Sequence, residues 1–279
     1  MATLHEYRER PHWSYSALNQ FFNICSLQYA FERIYRLPKS FTPLPLSFGS
    51  AFHRVMEWSA LERMAGRCPK PQEASDLFQD VWGRQLRDDT DIRFDEGEDC
   101  DSVAAQGRGM CACAVSGADP EERVLNVCDA FCAPLTLASG ETLETPLIGE
   151  IDLVAVKEGK VTLVDWKTSV KRWPKTKAEK DWQPTAFVSG YLFSHGLLPD
   201  FRFDVVTKAK TPVLESHAAS RTPDDFVRLA EYANLAESMV AAGHFAPNEQ
   251  GFFCSGCPYR EPCRNWHRER ARTTVRMAA

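Results

Sequence analysis

The chain has 279 residues, 44% hydrophobic and 25% charged, which are values of a globular protein with length for one large domain or two small ones. Its formal net charge of −5 excludes a wholesale basic coat for duplex nucleic acid, so any such contact must come from local patches. No run of about 18 apolar residues occurs and residues 1–13 carry no apolar signal stretch, so a cytoplasmic protein without a membrane partner is expected, its ten cysteines serving as metal ligands or free thiols.

In chain order, Ser14 or Ser16 can cap a helix in which Leu18, Phe21, Phe22 and Cys25 follow the i, i+3, i+4, i+7 spacing, running to about Arg36. Pro38, Pro43 and Pro45 break the chain. A helical pattern resumes over 48–64 and sets His53 and Glu57 four residues apart on one face. Pro69 and Pro71 open a further helix to Arg87, the acidic stretch 88–101 reads as an exposed loop, and 102–133 is weakly helical. At Leu143 the character changes. LETPLIGEIDLVAV, a turn at 157–160 and VTLVDWKT together read as a β-hairpin. A helix over 181–195, strands over 201–207 and 213–217, and an amphipathic helix over 223–242 follow. The expected parts are an N-terminal helix and linker (1–45), a helical insertion with His53 (46–142), a sheet-bearing core (143–245) and a cysteine-rich, basic tail (246–279).

Because strand side chains alternate, Glu150 and Asp152 share one face, as do Asp165 and Lys167, with Trp166 opposite. Folding about Glu158-Gly159 can bring Asp152 close to Asp165. Clustered carboxylate oxygens suit Mg²⁺ or Mn²⁺, and Lys167 could orient a water or stabilise charge on a phosphate. Taken alone, an Asp-x-Lys triplet is better explained as surface residues of an edge strand, since such triplets are common by chance. Two basic patches stand out: Lys171, Arg172, Lys175, Lys177 and Lys180 after the second strand, and Arg260, Arg264, Arg268, Arg270, Arg272 and Arg276 near the end. Either could be a solvated surface or a nucleic-acid contact.

Cys254, Cys257 and Cys263 form C-x2-C-x5-C, with Gly256, Pro258 and Pro262 imposing turns. Cys25 is the candidate fourth ligand, although it also falls on the apolar stripe of its helix, where a cysteine packs as a small hydrophobe. Four thiolates accept either zinc or a 4Fe-4S cluster. Cys68, Cys100, Cys111, Cys113, Cys128 and Cys132 show no such arrangement; Cys128 and Cys132, four apart, fit a helix-borne pair or buried thiols.

In combination these segments resemble the RecB-like branch of the PD-(D/E)XK nuclease superfamily. The resemblance lies in SYSALNQFFNICSLQYAF (14–31), the Gly-x3-His segment LSFGSAFHRVMEW (46–58), GEID (149–152), DWKT (165–168), the helix containing Gln183, and CSGCPYREPC (254–263). It implies a mixed sheet flanked by helices, a helical insertion and a cysteine-cluster cap. His53, Asp152 and Asp165 would hold the metal, Lys167 would be catalytic, Gln183 would assist, and Cys25, Cys254, Cys257 and Cys263 would hold 4Fe-4S. It further implies a DNA nuclease, an exonuclease on single strands or ends, with Lys171, Arg172, Lys175 and Lys177 guiding the backbone and protein partners of a recombination or CRISPR-adaptation complex. One position departs from the pattern: four residues after Gln183 stands Phe187, with Tyr191 a further turn along. The competing readings are a catalytically silent DNA-binding or assembly module on the same fold and a zinc-stapled structural protein. No G-x4-GK[ST] motif is present, so any unwinding would come from another chain.

Overall fold

The computed structural model describes residues 3–94 and 96–277, with side chains through residue 269. Thr3 and Glu6 form a capping box on α1 (Leu4–Arg8). Trp13 then lies along the sheet, its N–H donating to Pro146 O and its carbonyl accepting from Ile148 N, both at 2.8 Å. The single helix expected from Ser14 to Arg36 is broken in two. Ser14 caps α2 (Tyr15–Asn19), which runs into a π turn, Gln20–Ile24. Cys25 is extended (φ −172°, ψ 117°) and its Sγ accepts from the Gln28 N–H at 3.4 Å, capping α3 (Ser26–Tyr29) and a second π turn, Ala30–Ile34. Widening a helical turn by one residue rotates the next stretch of chain about the helix axis, so Cys25 caps a new helix instead of continuing the first, while still packing against the apolar cluster.

Strand β1 (Thr42–Pro43) leads into α4 (Leu44–Met64), and α5 (Pro71–Asp88) follows with proline at its first turn. The acidic stretch is not all loop: β2 (Ile92–Arg93) pairs in parallel with β1, and Asp99 caps α6 (Cys100–Ser116). Beyond Ser116 the weak helical expectation fails. Residues Arg123–Ala133 form β3, an outer strand of the main sheet, with a register shift between Val124 and Asn126 and Cys128 at φ +55°. Cys128 and Cys132 therefore sit half-buried on a bulged strand, not on a helix.

The hairpin of β4 (Leu147–Lys157) and β5 (Lys160–Ser169) closes through Glu158 (φ +51°) and Gly159 (φ +77°), the left-handed pair that a two-residue hairpin loop needs. A short α7 (Lys177–Lys180) and then α8 (Gln183–His195), ended by left-handed Gly196, carry the chain across to β6 (Asp200–Thr207), parallel to β5. Antiparallel β7 (Leu214–Ala219), α9 (Pro223–Ala241) and α10 (Arg260–Met277) complete the order. The five-stranded sheet runs β3-β4-β5-β6-β7.

Two apolar clusters share this sheet. One joins Leu18, Leu27, Phe187 and Leu229 to Leu163 and Phe201; the other joins Phe48, Phe52, Phe78, Trp82 and Met110 to Leu153, Val164 and Val206. The result is the expected mixed sheet flanked by helices. Packing is close where α8 crosses the sheet: a Cβ on Gly190 would meet the Phe131 ring at 2.2 Å, and one on Gly149 at 2.5 Å. No helix among the described residues is long and apolar enough to cross a membrane.

Candidate active site

Pairing between β4 and β5 runs from the turn only as far as Leu153↔Val164. Asp152 and Asp165 occupy the next register position, where the strands part and a side chain can take over from the backbone. Asp152 does so: its Oδ2 accepts from the Trp166 N–H at 3.0 Å and lies 3.2 Å from His53 Nδ1 on α4. Asp165 is 2% exposed. Its Oδ2 pairs with Lys167 Nζ, and its Oδ1 accepts from Gln183 Nε2. Gln183, the first residue of α8, is held in turn by its own N–H donating to Asp181 Oδ1 at 2.9 Å. Three distant segments thus bring together His53, Asp152, Asp165, Lys167 and Gln183.

Burial and charge pull against one another here. Burial pushes the Asp165 carboxyl up to about 6, with Asp152 adding to the shift and Lys167 opposing it. For Asp152, burial is outweighed by His53 and Lys167, and the carboxyl falls below its ordinary value. Burial likewise disfavours charged His53 and charged Lys167, but the two carboxylates prevail and both are raised. Around this core lie Glu57, one turn beyond His53, and Glu150, two residues before Asp152. Both are raised by burial and by neighbouring carboxylates, and Glu57 bonds the Cys128 thiol. Helix and strand spacing point to both positions without giving them a role.

Among the described residues no three His, Cys, Asp or Glu side chains converge tightly enough to hold a metal ion. The two central carboxylates are instead neutralised by Lys167 and His53. The donor chemistry nevertheless fits: carboxylate oxygens with one imidazole suit a hard divalent ion such as Mg²⁺ or Mn²⁺.

The departure at Phe187 has a structural account. Phe187 packs edge-on against Phe131 in the core (5.9 Å between centroids). Tyr191 stacks on His195 at 4.2 Å, and His195 Nε2 lies 3.0 Å from Asp129 Oδ2 on β3. Neither aromatic joins the Asp165 group.

Lys171, Arg172, Lys175 and Lys177 are exposed beyond β5. Arg172 is partly neutralised by Glu215 at 3.4 Å, and Lys177 lies 3.8 Å over the Trp173 ring. Burial lowers Lys177, with Asp181 opposing and Lys167 adding to the shift.

Apart from the Asp165 group, Cys25, Cys254, Cys257 and Cys263 line one cavity of about 260 Å³, together with Gln28, Arg260 and Arg264. All four are free thiols. Gln28 donates to both Cys25 Sγ (3.4 Å, backbone) and Cys257 Sγ (3.5 Å, side chain). Burial, reinforced by the neighbouring cysteines, raises Cys257 and Cys263. Arg268 is exposed; Arg270, Arg272 and Arg276 lie outside the described side chains.

Comparison with known proteins adds to this geometry. A solved structure from Eubacterium rectale, named "Putative exonuclease", is 13% identical, with 90% of each chain covered at a TM-score of 0.50, a likeness of fold alone. Another, SSO0001, is also 13% identical over 83% of this chain and 82% of that one, at a TM-score of 0.37. No curated protein matches the sequence. The family model of the PD-(D/E)XK nucleases, by contrast, matches residues 12–264, nearly the whole chain and every residue of the Asp165 group. The chain belongs to the PD-(D/E)XK nuclease superfamily.

Proposed function

We propose that the protein is a Mg²⁺- or Mn²⁺-dependent deoxyribonuclease acting as an exonuclease on single strands or DNA ends. The observation that carries this is the meeting of Asp152, Asp165 and Lys167, supported by His53 and Gln183, at one parting of two strands in a chain of this superfamily. His53, Asp152 and Asp165 would hold the ion, which when bound supplies an activated water and a Lewis acid for the phosphate. Lys167 presents an ammonium beside Asp165, where negative charge grows as the phosphodiester is attacked. Gln183 fixes the orientation of Asp165, and its buried Oε1, without a hydrogen-bond partner, can accept from Lys167 or a water. Lys171, Lys175 and Lys177 lie where a phosphate backbone can be guided in. The preference for ends is supported by the name of the neighbour from Eubacterium rectale.

The four cysteines we read as the ligands of a 4Fe-4S cluster. All four line one cavity, and Gln28 points N–H groups at two of their sulfurs. The test is cleavage of end-labelled single- and double-stranded DNA with Mg²⁺, Mn²⁺ or EDTA, with iron and zinc measured on the same anaerobic preparation. Metal-dependent shortening from ends is expected. Binding without cleavage under every metal would establish the silent module instead, and one zinc per chain would replace the cluster.

A further inference from the structure

A cavity of about 440 Å³ opens beside the candidate active site, bounded by α1, residues 12–16, residues 148–150 of β4 and the start of α8. Gln183, which holds Asp165, forms part of its wall, as does Glu150, two residues from Asp152. The cavity is therefore continuous with the catalytic group. Its volume is that of a small-ligand pocket, large enough for a nucleotide and not merely an ion.

Two arginines, Arg8 and Arg33, line the same space. They act on one another as like charges, with Glu32 acting more strongly on Arg33 and Arg8 acting on Glu150 across the cavity, but among the described residues no carboxylate oxygen lies within ion-pair distance of either. Arg33 is held by neutral acceptors: its Nε donates to Gln20 Oε1 at 2.8 Å and its Nη2 to Ser16 Oγ at 3.3 Å, while the guanidinium sits 5.9 Å over the Tyr29 ring. Gln20 is itself fixed, donating to Glu32 Oε2 at 2.8 Å. Neutral hydrogen bonds orient a guanidinium without cancelling its charge, and Nη1 keeps its donors for an outside acceptor. A planar fork of this kind matches phosphate oxygens.

We infer that this cavity takes a nucleotide of the strand being cut, its phosphate bound by Arg8 and Arg33 and the scissile bond lying beyond Gln183. The inference rests on the nuclease reading above. It adds a binding site on the side of Asp165 formed by the N-terminal segment, built from residues that the basic stretch after β5 does not include.

The test is fluorescence anisotropy of a labelled single-stranded oligonucleotide across a salt series, on protein carrying Asp165→Asn to prevent cleavage. Each phosphate contact contributes about 0.7 to the slope of log affinity against log salt. Arg8→Gln should therefore flatten the slope by about 0.7, and Arg8→Gln with Arg33→Gln by about 1.4. In protein with Asp165 intact, KM should rise while kcat stays within about twofold, the signature of lost binding shared by ground and transition states. Arg33→Gln also removes the ties to Gln20 and Ser16, so Arg33→Lys, which keeps the charge, should recover most of the slope. The Arg8 side chain makes no hydrogen bond to the described residues, and a melting curve of Arg8→Gln matching wild type checks that the segment stays folded. An unchanged slope and KM in Arg8→Gln, with wild type binding and cleaving, overturns the cavity assignment alone. A wild type that neither binds nor cleaves any strand overturns the nuclease reading and this inference together.

Discussion

The hairpin site and the cysteine-lined cavity are both assembled from remote parts of the chain, but their internal support differs. At the hairpin each charged group has a protein counterpart: Asp165 has Lys167 and Gln183, and Asp152 has His53 and the Trp166 amide. Strand register sets the spacing and the flanking helices bury it. Around the cavity the thiols receive hydrogen bonds from Gln28 and from the Tyr259 backbone, and none from a charged side chain among the described residues, while turns and loops over residues 246–259 carry two of the four cysteines. Their clasp to the N-terminal segment consists of a few hydrogen bonds, such as Ser26 Oγ to Ala246 O at 3.1 Å and Asn248 Nδ2 to Ile24 O at 3.0 Å. One region is rigid by its own bonding and can lose a functional group while keeping its shape; the other needs a shared ligand to hold distant loops together.

This contrast can be broken at either end. The largest effect is expected on turnover. Asp165→Asn, or EDTA on the wild type, should reduce cleavage of end-labelled DNA by at least about 10²–10³-fold, while the melting temperature moves by only a few degrees. A folded Asp165→Asn protein with full activity would remove the hairpin from the chemistry. Next comes Cys25→Ser, which should release the iron and lower the melting temperature by about 10 °C, because metal binding there is also folding energy. Full iron content and an unmoved melting curve would take Cys25 out of the ligand set and erase the contrast. Smaller is Gly190→Ala, whose Cβ would meet Phe131 at 2.2 Å. Overpacking should cost about 1–3 kcal/mol, read as a lower urea midpoint, and Phe131→Leu in the same chain should restore part of it. A midpoint equal to wild type would show that the sheet layer is looser than its contacts imply. The smallest concerns the basic stretch: neutralising Lys171, Arg172, Lys175 and Lys177 together should flatten the salt slope of single-strand binding by about 2, with Arg172, already paired to Glu215, adding little. An unaltered slope would return these residues to a solvated surface.

Legibility in the sequence tracked how local the determining physics is. The β4–β5 hairpin was readable because apolar alternation and Glu158-Gly159 encode it within about 25 residues, and the proposed trio of Asp152, Asp165 and Lys167 follows from side-chain alternation on it. Strand β3 was not readable. Its RVLNVCDAFCA run carries Asn, Asp and a left-handed Cys128 at a bulge, and a Cys pair four apart imitates helical spacing. The break at Cys25 was equally hidden, since π turns leave the i, i+3, i+4 pattern nearly intact until they rotate the next residue away. The Arg8–Arg33 cavity had no signal in linear order at all: its walls come from five segments whose neighbourhood exists only once Trp13 has docked on Pro146 and Ile148.

The clasp between Ser26 and Ala246 spans 220 residues, and Tyr259, fully buried, bonds the Leu37 carbonyl from 222 residues away. During synthesis the helices at 15–34 must therefore wait, with Phe31 and Leu27 uncovered, while the whole sheet emerges and folds. At about 5–20 residues per second, that interval lasts on the order of ten seconds or more. The early segment can dock through Trp13 on Pro146 and Ile148 before then, but its clasp to residues 246–259 closes only near the end of synthesis.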